Sequence, residues 1–116
     1  MALTIACDIH PLGNLRVLQY LTGQLGHDEA AKLEWIARWI GDGFAALEAL
    51  AAPHGGPFLS GDAPSLADIC LVPQMYNARR FGVPLAAYPR LLAADAEATA
   101  LEPFAAAHPD RVAPAP

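Results

Sequence analysis

The chain has 116 residues and a mass of 12.2 kDa, room for one domain, and its composition of 54% apolar and 16% charged residues excludes intrinsic disorder. A net charge of −5, with one Lys and six Arg, argues against nucleic-acid binding but leaves arginines free to hold a small anion. Ala (25) and Leu (16) far outnumber Val and Ile together (9), which points to helices packed on helices, because β-branched residues are scarce. No apolar run approaches a membrane span, and Met1-Ala2-Leu3 lacks the basic start of a signal peptide, so a cytoplasmic protein without a membrane partner is expected. Cys7 and Cys70 form no disulfide or metal pattern and read as reduced core residues.

Between Ala2 and Leu21 the apolar residues recur at helical spacing, with Pro11 and Gly13 interrupting. The pattern predicts one helix, bent or unwound after His10 because Pro11 has no N–H to donate, and closed at Gly23. No capping residue precedes Ala2, so a single all-α domain spanning 1–116 that enters its first helix partway along is expected.

A second helix is predicted from Asp28, as N-cap, to Ala52. Ile36, Trp39, Ile40, Phe44, Leu47 and Leu50 form its apolar stripe, while Lys32, Glu34, Arg38 and Glu48 are placed in water. Pro53 to Pro64 reads as a loop that turns Phe58 and Leu59 inward.

Ser65-Leu66-Ala67-Asp68 is a capping box opening a third helix to about Phe81, bent near Pro73, with Leu66, Ile69, Cys70, Met75 and Tyr76 as candidates for burial. Gly82-Val83-Pro84 stops it. Pro89 then opens a fourth helix to Leu101, a short turn follows Pro103-Phe104, and Val112 to Pro116 is expected to be a tail.

Chemistry-bearing residues are few. Cys7 and His10 lie three apart, but a zinc site needs three or four ligands and no others are nearby, so no metal is expected. The sequence carries no phosphate-binding glycine loop, nucleophile elbow or clustered carboxylate pair, which argues against an autonomous hydrolase.

Two polar groups remain. His10, Asn14 and Arg16 surround the Pro11–Gly13 break. On a regular helix His10 and Asn14 share a face and Arg16 points nearly opposite Asn14, so the three converge only if the backbone departs from regular helix there. They either line a polar cavity or merely satisfy backbone groups freed by the break, with Arg16 in water. The second group ends the third helix with Arg79-Arg80. Both arginines suit the carboxy-terminal dipole, and equally one guanidinium can hold a carboxylate through two parallel hydrogen bonds.

The stretch Gly61-Asp62-Ala63-Pro64-Ser65-Leu66-Ala67-Asp68-Ile69 resembles the carboxy-terminal helical domain of glutathione transferases. Asp8 to Leu18, Leu71 to Phe81, and Tyr88-Pro89 followed by Ala107 to Arg111 narrow the resemblance to the zeta class of maleylacetoacetate and maleylpyruvate isomerases. It covers nearly the whole chain and implies a glutathione-transferase-like helical bundle. In the mechanism it implies, a glutathione thiolate adds to a cis alkene, the new single bond rotates, and elimination releases the trans product. The same resemblance implies Arg80, rather than Arg79, as a ligand of the substrate dicarboxylate, and His10 and Asn14 on the glutathione side; Arg16 is a further substrate-side candidate, divided evenly between the site and solvent.

Gly13 stands where many such relatives carry Asn, which loosens the bend. The thioredoxin-like domain of such enzymes, which binds glutathione and activates its sulfur, has no counterpart in these residues, so no catalytic residue is assigned and binding of glutathione by this chain alone is doubtful. The resemblance thus implies the substrate-side part of a glutathione-dependent isomerase, partnered by a thioredoxin-like domain and by a second copy as a homodimer. The other readings are a non-catalytic helical interaction module and an independent carboxylate-binding protein using Arg16 and Arg80.

Overall fold

In the computed structural model, which describes residues 1–112, all extended regular structure is helical; the one β-type pairing is an isolated bridge between Phe58 and Gly61. The last four residues of the expected tail lie outside the described residues, and its first, Val112, ends a short helix.

The amino-terminal stretch is one helical rod with changing pitch. A widened π turn over Thr4–Ile9 passes into a tight 3-10 turn over His10–Gly13, then into α1 (Leu15–Gln19) and a second π turn over Tyr20–Gln24. Pro11 cannot donate to the helical ladder, so the pitch changes where it stands. Ile5, Ile9, Leu18 and Leu21 fasten the rod to the core. Its end differs from the sequence expectation: the helix runs past Gly23, and Gly26, with φ of 69°, makes the turn that lets His27 N–H bond back to the Leu21 carbonyl. Cys7 also differs, since it is exposed while Cys70 is half-buried.

Asp28 caps α2 (Glu29–Ala51) by accepting from Ala31 N–H at 2.9 Å. Ile36, Ile40, Phe44, Leu47 and Ala51 form its buried face. Leu50 lies at the edge of that stripe and is 48% exposed, contrary to expectation. Glu48 was expected in water, yet both its oxygens accept from the first amides of α4 (Pro89–Ala100), Arg90 N–H at 2.9 Å and Leu91 N–H at 3.0 Å. It supplies the N-terminal cap that Tyr88 does not. α2 also approaches the amino-terminal rod so closely at Gly43 that a Cβ there would come within 2.2 Å of Ile9 Cγ1.

The loop after α2 turns Phe58 and Leu59 into the core, as their apolar character predicts. Ser65 and Asp68 then open α3 (Leu66–Arg80) with the expected capping box. Asp68 is fully buried; it accepts from Ser65 N–H and Oγ and, beyond the box, from Leu59 N–H at 2.9 Å, so one carboxylate ties loop and helix together. α3 continues through Pro73 and ends where Gly82, with φ of 69°, lets Val83 and Gly82 N–H bond to the Ala78 and Arg79 carbonyls.

Ala67, Leu71, Met75 and Ala78 pack inward, so the opposite face turns out: Leu66 (66%), Ile69 (57%) and Tyr76 (38%) are exposed, not buried as expected. α3 is apolar on both faces, and only one can meet the core of α2 and α4. After α4 come α5 (Glu102–Ala106) and α6 (Pro109–Val112). Among the described residues no helix is long and apolar enough to cross a membrane.

Candidate functional site

The pitch change at Pro11 frees backbone groups, and the structure shows where they go. The Leu12 carbonyl accepts from Trp35 Nε1–H of α2 at 2.7 Å. Asn14, in extended conformation, restarts the helix, its side chain accepting from Arg16 N–H at 3.3 Å. A side chain 23 residues away and a local cap therefore hold the break in place.

Beside the break lies a crevice of about 10 Å³, room for about one water molecule. His10 borders it from the rod, Trp39 from α2, and Gln74, Asn77 and Phe81 from the far end of α3. His10 is itself exposed, whereas Gln74 is 5% exposed and, with His10 and Asn77, adds polar groups to a lining that is otherwise apolar. A dicarboxylate does not fit inside.

The twin arginines part company here. Arg79 Nη2 donates to Asp95 Oδ2 of α4 at 2.6 Å, and Asp95 is 2% exposed, so Arg79 neutralises a buried carboxylate. Arg80 is exposed, has no acidic partner among the described residues, and places its guanidinium carbon 5.6 Å from the centroid of the Phe81 ring that borders the crevice. Of the expected site residues His10 borders the crevice, whereas Arg80 does not line it and is connected to it only by its contact with Phe81. Asn14 is occupied as a helix cap, and Arg16 is exposed on the next turn; neither borders the crevice.

Gln74 and Asn77 have no site role in the sequence reading, and Trp39 only a place in the apolar stripe of the second helix. The spacing of Gln74, Asn77 and Phe81, three and four apart, was the available signal, since it sets all three on one helix face. Trp35 carried no such signal, because its partner is a carbonyl whose freedom depends on the break.

A broad apolar groove of about 730 Å³ runs between the outward face of α3 and the carboxy-terminal helices, with Ile69, Pro73 and Tyr76 on one wall and Phe104, Ala107 and His108 on the other. Tyr76 and His108 meet edge to face at 5.7 Å.

The family model for the glutathione S-transferase C-terminal domain matches residues 30–93, more than half of the chain. The chain is 47% identical over 115 residues to maleylacetoacetate isomerase of Rhizobium meliloti (strain 1021), covering 98% of this chain and 54% of that protein. Among solved structures it resembles the holo form of a maleylpyruvate isomerase, a bacterial zeta-class glutathione transferase, with a TM-score of 0.95 and 45% identity over 99% of this chain and 55% of that one. It likewise resembles maleylacetoacetate isomerase from Methylobacterium extorquens AM1 with bound malonate and glutathione, with a TM-score of 0.92 and 36% identity over 99% and 55% of the two chains. The chain spans about half the length of the curated relatives it matches, in their carboxy-terminal part. A match over most of the helical core, on a fold that coincides with zeta-class structures throughout, leads to one assignment: the chain belongs to the glutathione S-transferase C-terminal domain family.

Proposed function

We propose that this chain supplies the substrate-side half of the active site of a glutathione-dependent cis–trans isomerase acting on maleylpyruvate or maleylacetoacetate. The observation that carries the reading is the division of labour between the twin arginines: Arg79 is bound to buried Asp95, and Arg80 is left without an acidic partner among the described residues, against Phe81, which lines the crevice with His10. A guanidinium so placed holds a carboxylate through two parallel hydrogen bonds. Malonate, a dicarboxylate, and glutathione are bound by one of the related isomerases. Arg80 is therefore the substrate ligand in this reading and His10 borders glutathione, while Arg16 as a second carboxylate ligand and Asn14 on the glutathione side rest on the resemblance to the isomerases and not on the crevice.

Glutathione is a co-substrate here, and the crevice of about 10 Å³ accounts for only one edge of its site. The rest belongs to a thioredoxin-like domain, which covers the exposed stripe of Leu66, Ile69 and Tyr76 and the groove beside it. A homodimer acting in the cytoplasm completes the proposal. The isomerase names of the relatives favour this reading over a non-catalytic interaction module.

The test is reconstitution. The chain alone, with glutathione and maleylpyruvate, shows negligible turnover, and fusing or mixing in a thioredoxin-like domain from a related isomerase restores it. A reconstituted protein that turns over neither maleylpyruvate nor maleylacetoacetate overturns the proposal.

A further inference from the structure

A second groove, of about 410 Å³, lies away from Arg80, where the end of the amino-terminal rod meets the start of α2. Leu21, Leu25, Trp35 and Trp39 form its apolar surface, and Lys32 and Arg38 stand at its rim. Trp35 and Trp39 are the only tryptophans of the chain, and their rings meet edge to face at 5.5 Å and 66°. The Trp35 ring is fixed by its hydrogen bond to the Leu12 carbonyl, so this aromatic surface is set before any ligand arrives.

The rim supplies charge. Lys32 lies down along the helix, its side chain 23% exposed, and pairs with Glu29, which is 67% exposed. Arg38 pairs with Asp42 on the open surface. Such surface pairs are weak, and an incoming carboxylate can displace either acid. Glu34 is the one acid lining the groove, and both lining cations are already paired with acids outside the lining, so an entering carboxylate takes the place of Glu29 on the half-buried Lys32 rather than meeting a free charge.

We propose that this groove binds a planar aromatic carboxylate of one or two rings, with the ring against Trp35 and Trp39 and the carboxylate on Lys32. The volume lies in the range that holds small ligands, and an apolar aromatic wall with one partly desolvated cation is what such an acid requires. The inference stands apart from the isomerase reading, since the groove shares only Trp39 with the crevice beside His10.

Because both tryptophans lie in the groove, indole fluorescence reads it directly. Benzoate titrated into the chain, with excitation where only indole absorbs, gives a saturable quench; benzylamine at the same concentrations does not. Lys32→Ala weakens the benzoate dissociation constant about tenfold. Glu34→Gln tightens it, and Arg80→Ala leaves it unchanged, which separates this groove from the isomerase site. An absent or unsaturable quench with benzoate, an equal quench with benzylamine, or an unchanged dissociation constant in Lys32→Ala overturns the proposal.

Discussion

Arg79 and Arg80 are adjacent and identical, yet their surroundings give them different chemistry. Arg79 faces α4 and one oxygen of Asp95, whose other oxygen is buried without a hydrogen-bond partner. Removing Arg79 leaves that carboxylate without its one ion-pair partner in the interior. Because the Arg79 side chain is 50% exposed and water screens part of the pair, Arg79→Ala costs about 2–3 kcal/mol, read as a lowered urea midpoint at constant slope. Arg80→Ala removes no ion pair and leaves the midpoint close to that of the parent. A second residue-scale outcome concerns Glu48, whose two oxygens satisfy two otherwise unpaired amides at the start of α4. Glu48→Ala lowers stability by about 1–2 kcal/mol, measured by the same unfolding curve.

At the scale of elements, the fold depends on how closely the amino-terminal rod lies on α2. Gly43 has no room for a methyl group, because Ile9 is 1% exposed and its Cγ1 and Cδ1 lie 2.2 and 2.4 Å from where a Cβ would sit. Gly43→Ala therefore destabilises by about 1–3 kcal/mol despite the better helix propensity of Ala, and calorimetry shows a lowered unfolding temperature. A rise in that temperature would mean the rod can move off α2 freely.

The elements also show what the sequence made legible. Asp28, the Ser65–Asp68 box and Gly82 mark helix ends through bonds spanning a few residues, and Pro89 marks one by its fixed φ and missing N–H; such signals can be read from a string. Glu48 on α4, Trp35 on Leu12 and Arg79 on Asp95 span 42, 23 and 16 residues. Their partners depend on how the helices pack, so no local pattern announces them. Gly23 can take the left-handed conformation that closes a helix and so suggests the end there, whereas the widened turn carries the helix on to Gln24 and Gly26 makes the left-handed turn. Leu66, Ile69 and Tyr76 were read as core because periodicity tells which residues are apolar, and α3 is apolar on both faces.

For the whole molecule, that outward apolar face is the dominant surface feature. Leu66, Ile69 and Tyr76 are exposed on α3, Ile69 and Tyr76 line the apolar groove of about 730 Å³, and Leu3 and Leu15 are exposed on the rod. The chain by itself is expected to self-associate, with light scattering showing a mass that rises with concentration. Adding a thioredoxin-like domain suppresses the rise by covering the face. A monomer at all concentrations would show that the face needs no cover.

The central claim is that one arginine of the pair holds substrate and the other holds the fold, and the Michaelis constant of the reconstituted isomerase tests it most directly. Arg80→Ala raises KM for maleylpyruvate about tenfold or more, the loss of a charge-assisted hydrogen bond, while Arg79→Ala leaves KM within about twofold under conditions where it remains folded. An unchanged KM and kcat in Arg80→Ala, or an equal rise in KM in both variants, would contradict it.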